Sequence, residues 1–284
     1  MMRQSFDLVA RLPIIAAQAY QVKRHYYENK SMYLHVPPDN LSAAEILLYC
    51  IRSDRKYTDE EAKLLDKCLI LHAEHGGGNN SAFTCRVLSS SGTDTYSAIA
   101  SAICSLKGPL HGGANKQVVE MMKDIEDNVK NWKSDDEVSE YLAKIIRREA
   151  GDKSGKIYGM GHAIYTKSDP RAVILKKHAK ALCEKQGYLE RFELIESVER
   201  LTPDVFRAVK GNDKPLCANV DMYSGLVYEM LGIPRDLFTP IFAIARVAGL
   251  CAHRIEEAMT GGRIIRPAYK CVSRQTEYTS LNNR

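Results

Sequence analysis

Helix start signals recur along this chain at short intervals, and they constrain its fold more than any other feature. Ser42 and Glu45, Thr58 and Glu61, and Ser134 and Glu137 are spaced as capping boxes, in which a hydroxyl and a carboxylate satisfy the orphan amides of a first helical turn reciprocally. Asp169-Pro170, Thr202-Pro203 and Thr239-Pro240 each set a capping residue before a proline, whose missing amide costs nothing at the first helical position. Apolar positions repeat at the 3.6-residue period from Thr58 to His75, Thr95 to Leu106, Gln117 to Val129, Glu137 to Arg148, Pro170 to Cys183 and Pro240 to Met259. Strand-like alternation is nearly absent, so the expected fold class is all-α. Gly76-Gly77-Gly78 is expected to end the helix that carries both His72 and His75.

With 284 residues the chain exceeds what one core usually fills, and two lobes are expected. The polar span from Lys130 to Glu137 and the turn from Gly232 to Asp236 are places where a lobe could begin and end. A hydrophobic share of 45% with 26% charged residues is ordinary for a globular protein. No apolar run approaches the roughly 20 residues of a membrane helix, so no membrane partner is expected. The first residues lack the apolar stretch and cleavage site of a secretory signal, which points to a cytoplasmic location.

Cysteines 50, 68, 85, 104, 183, 217, 251 and 271 form no C-x-x-C pair and read as reduced, small core residues. The net charge of +5 is spread among 35 acids, which argues against a nucleic-acid stripe. A local basic surface could still receive an anionic substrate.

Three side chains stand in local sequences suited to holding a reactive group at a loop or helix edge. His111 lies between Gly108-Pro109 and Gly112-Gly113, where the backbone can turn tightly and approach a ligand. His162 follows Gly159-Met160-Gly161, and Asp221 follows Asn219-Val220. Two imidazoles and a carboxylate can remove a proton, stabilise the resulting anion and hydrogen-bond a second reactant. Each also has a plainer reading: a loop histidine, or for Asp221 a helix N-cap. Gly159-Met160-Gly161 is not a dinucleotide loop, because Ile164 occupies the position of the third glycine. His72 and His75 suggest a metal, but their spacing and the position of Glu74 do not fit H-E-x-x-H, and no metal is expected.

The strings Leu71 to Ser81 (with His72, Glu74, His75, Asn79 and Asn80), Leu106 to Asn115, Gly159 to Arg171, Asn219 to Asp221 and Arg263 to Pro267 occur in an order that resembles the citrate synthase family. The resemblance implies a large helical domain (1–112 and 233–284) interrupted by a smaller one (113–232), with the site in the cleft between them. It also implies acyl transfer: condensation of acetyl-CoA with oxaloacetate through an enol and citryl-CoA, with no separate cofactor. By similarity Asp221 is the base, His111 holds the enol and His162 polarises the ketone. His75, Arg171, Arg246 and Arg266 would bind the dicarboxylate, Ser81 would orient His111 and Lys214 would meet CoA.

Arg266 is expected to reach a partner subunit's site, implying a homodimer. Family members carry a substantial stretch before the point matching Met1, so the chain is expected to be an N-terminally truncated form, poorly active and poorly soluble alone. Alternatives are a 2-methylcitrate synthase using propionyl-CoA, a metal-dependent hydrolase built on His72 and His75, and a non-catalytic dimerisation fragment.

Overall fold

A computed structural model describes the chain except residues 163, 164, 212–214, 271, 275 and 284. Among the described residues the regular elements are helices, as the pattern requires: α1 (Met2–Glu28), α2 (Ala43–Ile51), α3 (Asp59–His72), α4 (Asn80–Ser90), α5 (Thr95–Leu106), α6 (Ala114–Asn128), α7 (Asp135–Ile146), α8 (Pro170–Gln186), α9 (Leu189–Lys210), α10 (Asp221–Met230) and α11 (Phe238–Met259). Short 3-10 turns cover Arg235–Leu237 and Leu281–Asn283.

The capping signals work through side-chain chemistry that the structure shows directly. Ser42 and Thr58 accept the Glu45 and Glu61 amides, and both glutamates return the bond to the cap residue's own amide. Ser134 accepts the Glu137 amide, but the Glu137 carboxylate turns instead to the Asn131 amide at 3.0 Å, leaving half a box. Asp169 caps α8 with Pro170 in the first turn, as expected.

Thr202-Pro203 corrects the sequence expectation: it lies inside α9, where the Thr202 hydroxyl donates to the Val198 carbonyl at 2.5 Å. Thr239-Pro240 falls just inside α11 instead of opening it, and the Thr239 hydroxyl donates to the Gly112 carbonyl at 2.9 Å, tying α11 to the His111 loop. A further correction concerns α3, which ends at His72, before the glycines. His72 and His75 therefore do not share a helical face.

α11 is the central element, packing against α1, α3, α4, α5 and α6. The window Arg235–Met259 is long and apolar enough by composition to cross a membrane, contrary to the sequence expectation. Its apolar side chains are spent on the core: Phe238, Ile241, Val247 and Leu250 are fully buried. One large apolar cluster links α2 and α3 with α6 through α11, while a smaller one joins α4, α5 and α11. Burial of this kind, at roughly 25 cal/mol per Å² of apolar surface, supplies most of the driving force.

Candidate active site

The starts of α6, α8 and α10 and the end of α3 bring the candidate residues together. Glycines make the close approaches possible. A Cβ on Gly225 would lie 2.6 Å from Val119 Cγ2 and 3.1 Å from the Asn115 carbonyl, so α10 sits directly on the first turn of α6. One turn upstream on α10 is Asp221, and just before α6 is His111. Gly159, at φ +82°, leaves room for Met222, where a Cβ would meet Sδ at 2.7 Å. The Gly161 amide donates to the Cys217 carbonyl at 2.7 Å and Met160 bridges Ala218, so the His162 loop is fastened to the segment leading into α10.

Asn219 couples the two directly. Its amide group donates to the Gly161 carbonyl at 3.0 Å, while its side-chain oxygen accepts the Asp221 backbone amide at 3.0 Å. Asp221 is the first residue of α10, which has Val220 at its N-cap and no side-chain cap bond. The plainer reading of Asp221 as a helix cap is thereby excluded. Its carboxyl is pushed up to about 6, first by burial and also by Asp169, against the lowering influence of Arg171 and Arg246.

Three imidazoles share with it the charges of Arg171 and Arg246. His75 lies beyond the end of α3 on a loop held by the Glu74 carboxylate, which accepts the His75 amide at 2.8 Å, the Gly76 amide, and His253 Nε2 at 3.0 Å. The rings of His75 and His162 stack with centroids 5.7 Å apart, and His162 packs on Tyr165 at 4.6 Å. His162 Nδ1 accepts the Tyr165 amide at 3.1 Å, which puts the ring proton on Nε2; Arg171 Nη2, a donor only, then approaches Nε2 at 3.4 Å without a hydrogen bond between them.

His111 Nε2 lies 3.1 Å from the hydroxyl of fully buried Ser81. That hydroxyl also reaches Asn79 Oδ1 at 2.7 Å. Its single proton therefore selects the tautomer: given to Asn79, it leaves the His111 proton on Nε2; given to His111, it moves the ring proton to Nδ1.

Burial lowers the pKa of all three rings; Arg171 and Arg246 add to this at His75, Arg246 at His111 and Arg171 at His162. Neutral imidazoles able to donate one hydrogen bond are the outcome.

Two arginines supply the positive charge. Arg171 is held by Asp169 through Nε at 3.1 Å and Nη2 at 2.8 Å, and the same carboxylate accepts the Val220 amide at 3.2 Å. Arg246, 1% exposed, lies over the Phe242 ring at 4.7 Å and spends only Nε, on the His72 carbonyl at 2.7 Å. Among the described residues its Nη1 and Nη2 have no partner. A buried guanidinium with both outer nitrogens open is costly unless an anion fills the gap, and it presents the fork that fits a carboxylate.

The structure does not bring every candidate here. Arg266 is exposed on the segment after α11, away from any bond to these groups, and Lys214 lies outside the described residues. His72 is buried in the core, its Nδ1 2.8 Å from the Cys68 carbonyl and its ring edge-on to Phe242, and burial holds its pKa down to about 4. Among the described residues no cluster of His, Cys, Asp and Glu is arranged to hold a metal ion. Sequence reasoning missed two positioning groups, Asp169 and Asn219. Asp169 was legible only as a cap, whereas Asn219 two residues before Asp221 carries the spacing of an Asx turn.

Residues 1–268 match the family described as citrate synthase, C-terminal domain. A citrate synthase of Acidithiobacillus ferridurans is 41% identical over 264 residues, covering 92% of this chain and 61% of the relative. A crystal structure of citrate synthase from Pyrobaculum aerophilum superposes with a TM-score of 0.80 at 31% identity, over 99% of this chain and 64% of that one. The ternary complex of citrate synthase from Thermoplasma acidophilum with carboxymethyl coenzyme A and oxaloacetate superposes at 0.77 and 29% identity, over 99% of this chain and 68% of that one. The chain spans 59% to 66% of the length of the curated relatives from Synechocystis, Deinococcus radiodurans and Haloferax volcanii. By its sequence and its helical fold, the chain belongs to the citrate synthase family.

Proposed function

We propose that this cleft condenses acetyl-CoA with oxaloacetate to give citrate and CoA. The observation that carries the reading is Arg246, buried with two open guanidinium nitrogens among His75, His111, Asp221 and Arg171, all within range of its charge. A dicarboxylate would satisfy Arg246 and Arg171 with bidentate geometry.

Asp221, charged above pH about 6, takes a methyl proton from acetyl-CoA. The thioester oxygen gains the displaced electron pair, and His111 donates from Nδ1 to it when Ser81 donates to Nε2. The enolate carbon then attacks the keto carbon of oxaloacetate; the keto oxygen takes up the carbonyl electron pair, accepts a hydrogen bond from His162 Nε2 and gains the proton that Asp221 removed, so that both side chains end as they began. Water cleaves the thioester of citryl-CoA, releasing citrate and CoA. The lobes 1–112 with 233–284, and 113–232, would close over the substrates and exclude water until that last step.

Release of CoA thiol that depends on oxaloacetate tests the reading. Thiol release without oxaloacetate would make the chain a thioesterase instead. Equal rates with propionyl-CoA and acetyl-CoA would move the assignment to 2-methylcitrate synthesis, since one methylene in a pocket is worth roughly 10 to 200-fold at most.

We further propose a homodimer, in a cytoplasmic setting. Ile70, Phe83 and Tyr96 on α3, α4 and α5 are about half exposed or more, and so are Tyr269, Val272, Tyr278 and Leu281 beyond α11. Such apolar surface fits a second copy. Arg266 would then serve the partner's cleft. Mixing inactive Arg266→Ala and Asp221→Asn chains should restore partial activity in hybrid dimers, and demonstrated hybrids without rescue would place Arg266 within its own chain.

A further inference from the structure

The first part of α3 and the second half of α8, away from His72 and Arg171, line an open groove of about 650 Å³. The α3 face contributes Glu60, Glu61, Lys63, Leu64 and Lys67, and the α8 face His178, Leu182 and Lys185. Its acids are already committed. Glu61 holds both Arg52 guanidinium nitrogens at 2.7 and 3.0 Å and caps α3 through the Thr58 amide, and Glu60 pairs with Lys185.

Lys63 and Lys67 form no ion pair among the described residues, and Lys67 Nζ instead approaches His178 Nε2 at 3.2 Å. An ammonium seated against an imidazole, with Lys177 adjacent in sequence and a second lysine one turn away that shares Glu60 with Lys185, leaves positive charge in excess of the acids. Burial, then Lys67 and Lys177, hold the pKa of His178 below the ordinary histidine value.

We propose that this groove is a binding site for a multivalent phosphate-class anion, held by Lys63, Lys67 and His178, and that its occupancy is coupled to the affinity of the catalytic cleft. The anion replaces the Lys67 to His178 contact: Lys67 and Lys63 turn onto its oxygens, and His178 gains a proton to become a third donor.

Coupling follows from where the helices lead. α3 ends at His72, whose carbonyl anchors Arg246, and α8 begins with Asp169 and Arg171, so the spacing of these two helices sets the spacing of the two guanidinium groups in the cleft. Whatever a wedge at the far side does to that spacing, a dicarboxylate in the cleft does in reverse to the wedge. This coupling rests on the proposed dicarboxylate site, whereas anion binding to the groove does not.

The test uses the full chain and inorganic pyrophosphate as the probe, with histidine labelled at Cε1 and the His178 resonance identified by its loss in His178→Gln. Saturable binding should shift that resonance and raise the pH at which His178 titrates. Lys67→Gln and Lys63→Gln should each weaken binding by roughly tenfold, the size of one charge-assisted contact, while Lys67→Arg retains it. No saturable change at His178 in 0.15 M salt, or the same affinity in the Lys63→Gln/Lys67→Gln double variant, would overturn the site.

Oxaloacetate binding is then measured with and without saturating pyrophosphate. A change in oxaloacetate affinity that disappears in the double variant supports the coupling, and an unchanged affinity overturns it. Failure of oxaloacetate to bind under either condition would count against the proposed function and leave the groove judged by His178 alone.

Discussion

α11 carries two buried arginines eight residues apart, and they are treated in opposite ways. Arg254, 6% exposed, places Nη1 and Nη2 on the carbonyls of Ser89 and Thr93, closing the end of α4. Arg246, 1% exposed, places only Nε and leaves both outer nitrogens without a bond among the described residues. Residue type and burial are the same; the difference lies in what remains unsatisfied. Among the described residues Arg254 lacks a partner only at Nε, so its bonded fork is a clamp, whereas an open fork is a receptor whose cost of burial is recovered only when a ligand arrives. Asp221 belongs with the open class, since its carboxylate accepts no hydrogen bond among the described residues and its pKa is raised to about 6.

The sharpest way to break this division is Asp221→Asn. Turnover should fall by roughly 10² to 10⁴ in single-turnover assays while oxaloacetate binding persists, the usual scale for loss of a positioned base. Stability should move the other way. Asp221 ionises near 3.8 when unfolded and about 6 when folded, so between those values the folded state binds the extra proton and stability falls as pH rises.

His72 does the reverse. Its folded value of about 4 lies below the ordinary 6.5, so over the same window the unfolded chain binds the extra proton and stability rises with pH. In the parent chain the two slopes oppose each other. In Asp221→Asn the opposing slope is gone while His72 and the other histidines with lowered pKa keep theirs, and denaturant titrations from pH 4.5 to 6 should show stability climbing more steeply than in the parent. An unchanged slope would deny Asp221 its raised value.

Next in size is Arg246→Met, which keeps bulk over Phe242 and removes the charge. Calorimetry should show oxaloacetate affinity reduced by roughly 10² to 10³, the range for losing one side of a buried charge pair. The melting temperature of the ligand-free protein should not fall. Arg254→Met should give the mirror image: a loss of about 1 to 3 kcal/mol from carbonyls left without donors, with oxaloacetate affinity unchanged. If the two variants behave alike, the contrast between open and closed guanidinium groups is wrong.

The smallest effect is expected from Ser81→Ala. His111 keeps its place but loses the hydroxyl that selects its tautomer, and kcat should drop several-fold to tenfold, the scale of one neutral hydrogen bond. KM for oxaloacetate should stay constant, because Ser81 acts on the acyl-bearing side. A change confined to KM would assign it elsewhere.

How much of this was legible in the sequence depends on whether the controlling interaction is local. Ser42, Thr58 and Asp169 cap helices through residues two or three positions away, and the sequence reading placed them correctly. Thr202-Pro203 carries the same local signal, but an i−4 carbonyl takes the Thr202 hydroxyl and the helix runs on. The end of α3 was misplaced because its causes are distant: the Gly249 amide of α11 takes the Ala73 carbonyl at 3.2 Å, and His253 helps hold the Glu74 carboxylate beneath the His75 loop. His111, His162 and Asp221 were found from glycine-rich or Asx-bearing contexts together with the family resemblance. The open nitrogens of Arg246 have no sequence signature, since they are defined by the bonds that neighbours do not make.

Gly249 also sets a limit on how this chain can vary. A Cβ there would stand 2.3 Å from the Ala73 carbonyl oxygen and 2.3 Å from the Glu74 carboxylate. The smallest possible change, a methyl group, would push α11 away from the end of α3 and so move Arg246 and His75 apart. In a library of random substitutions this helical position, remote from any reacting atom and with an ordinary helical backbone, should be among the least tolerant in the chain. Selection for the spacing between two helices would be recorded there as the absence of a side chain.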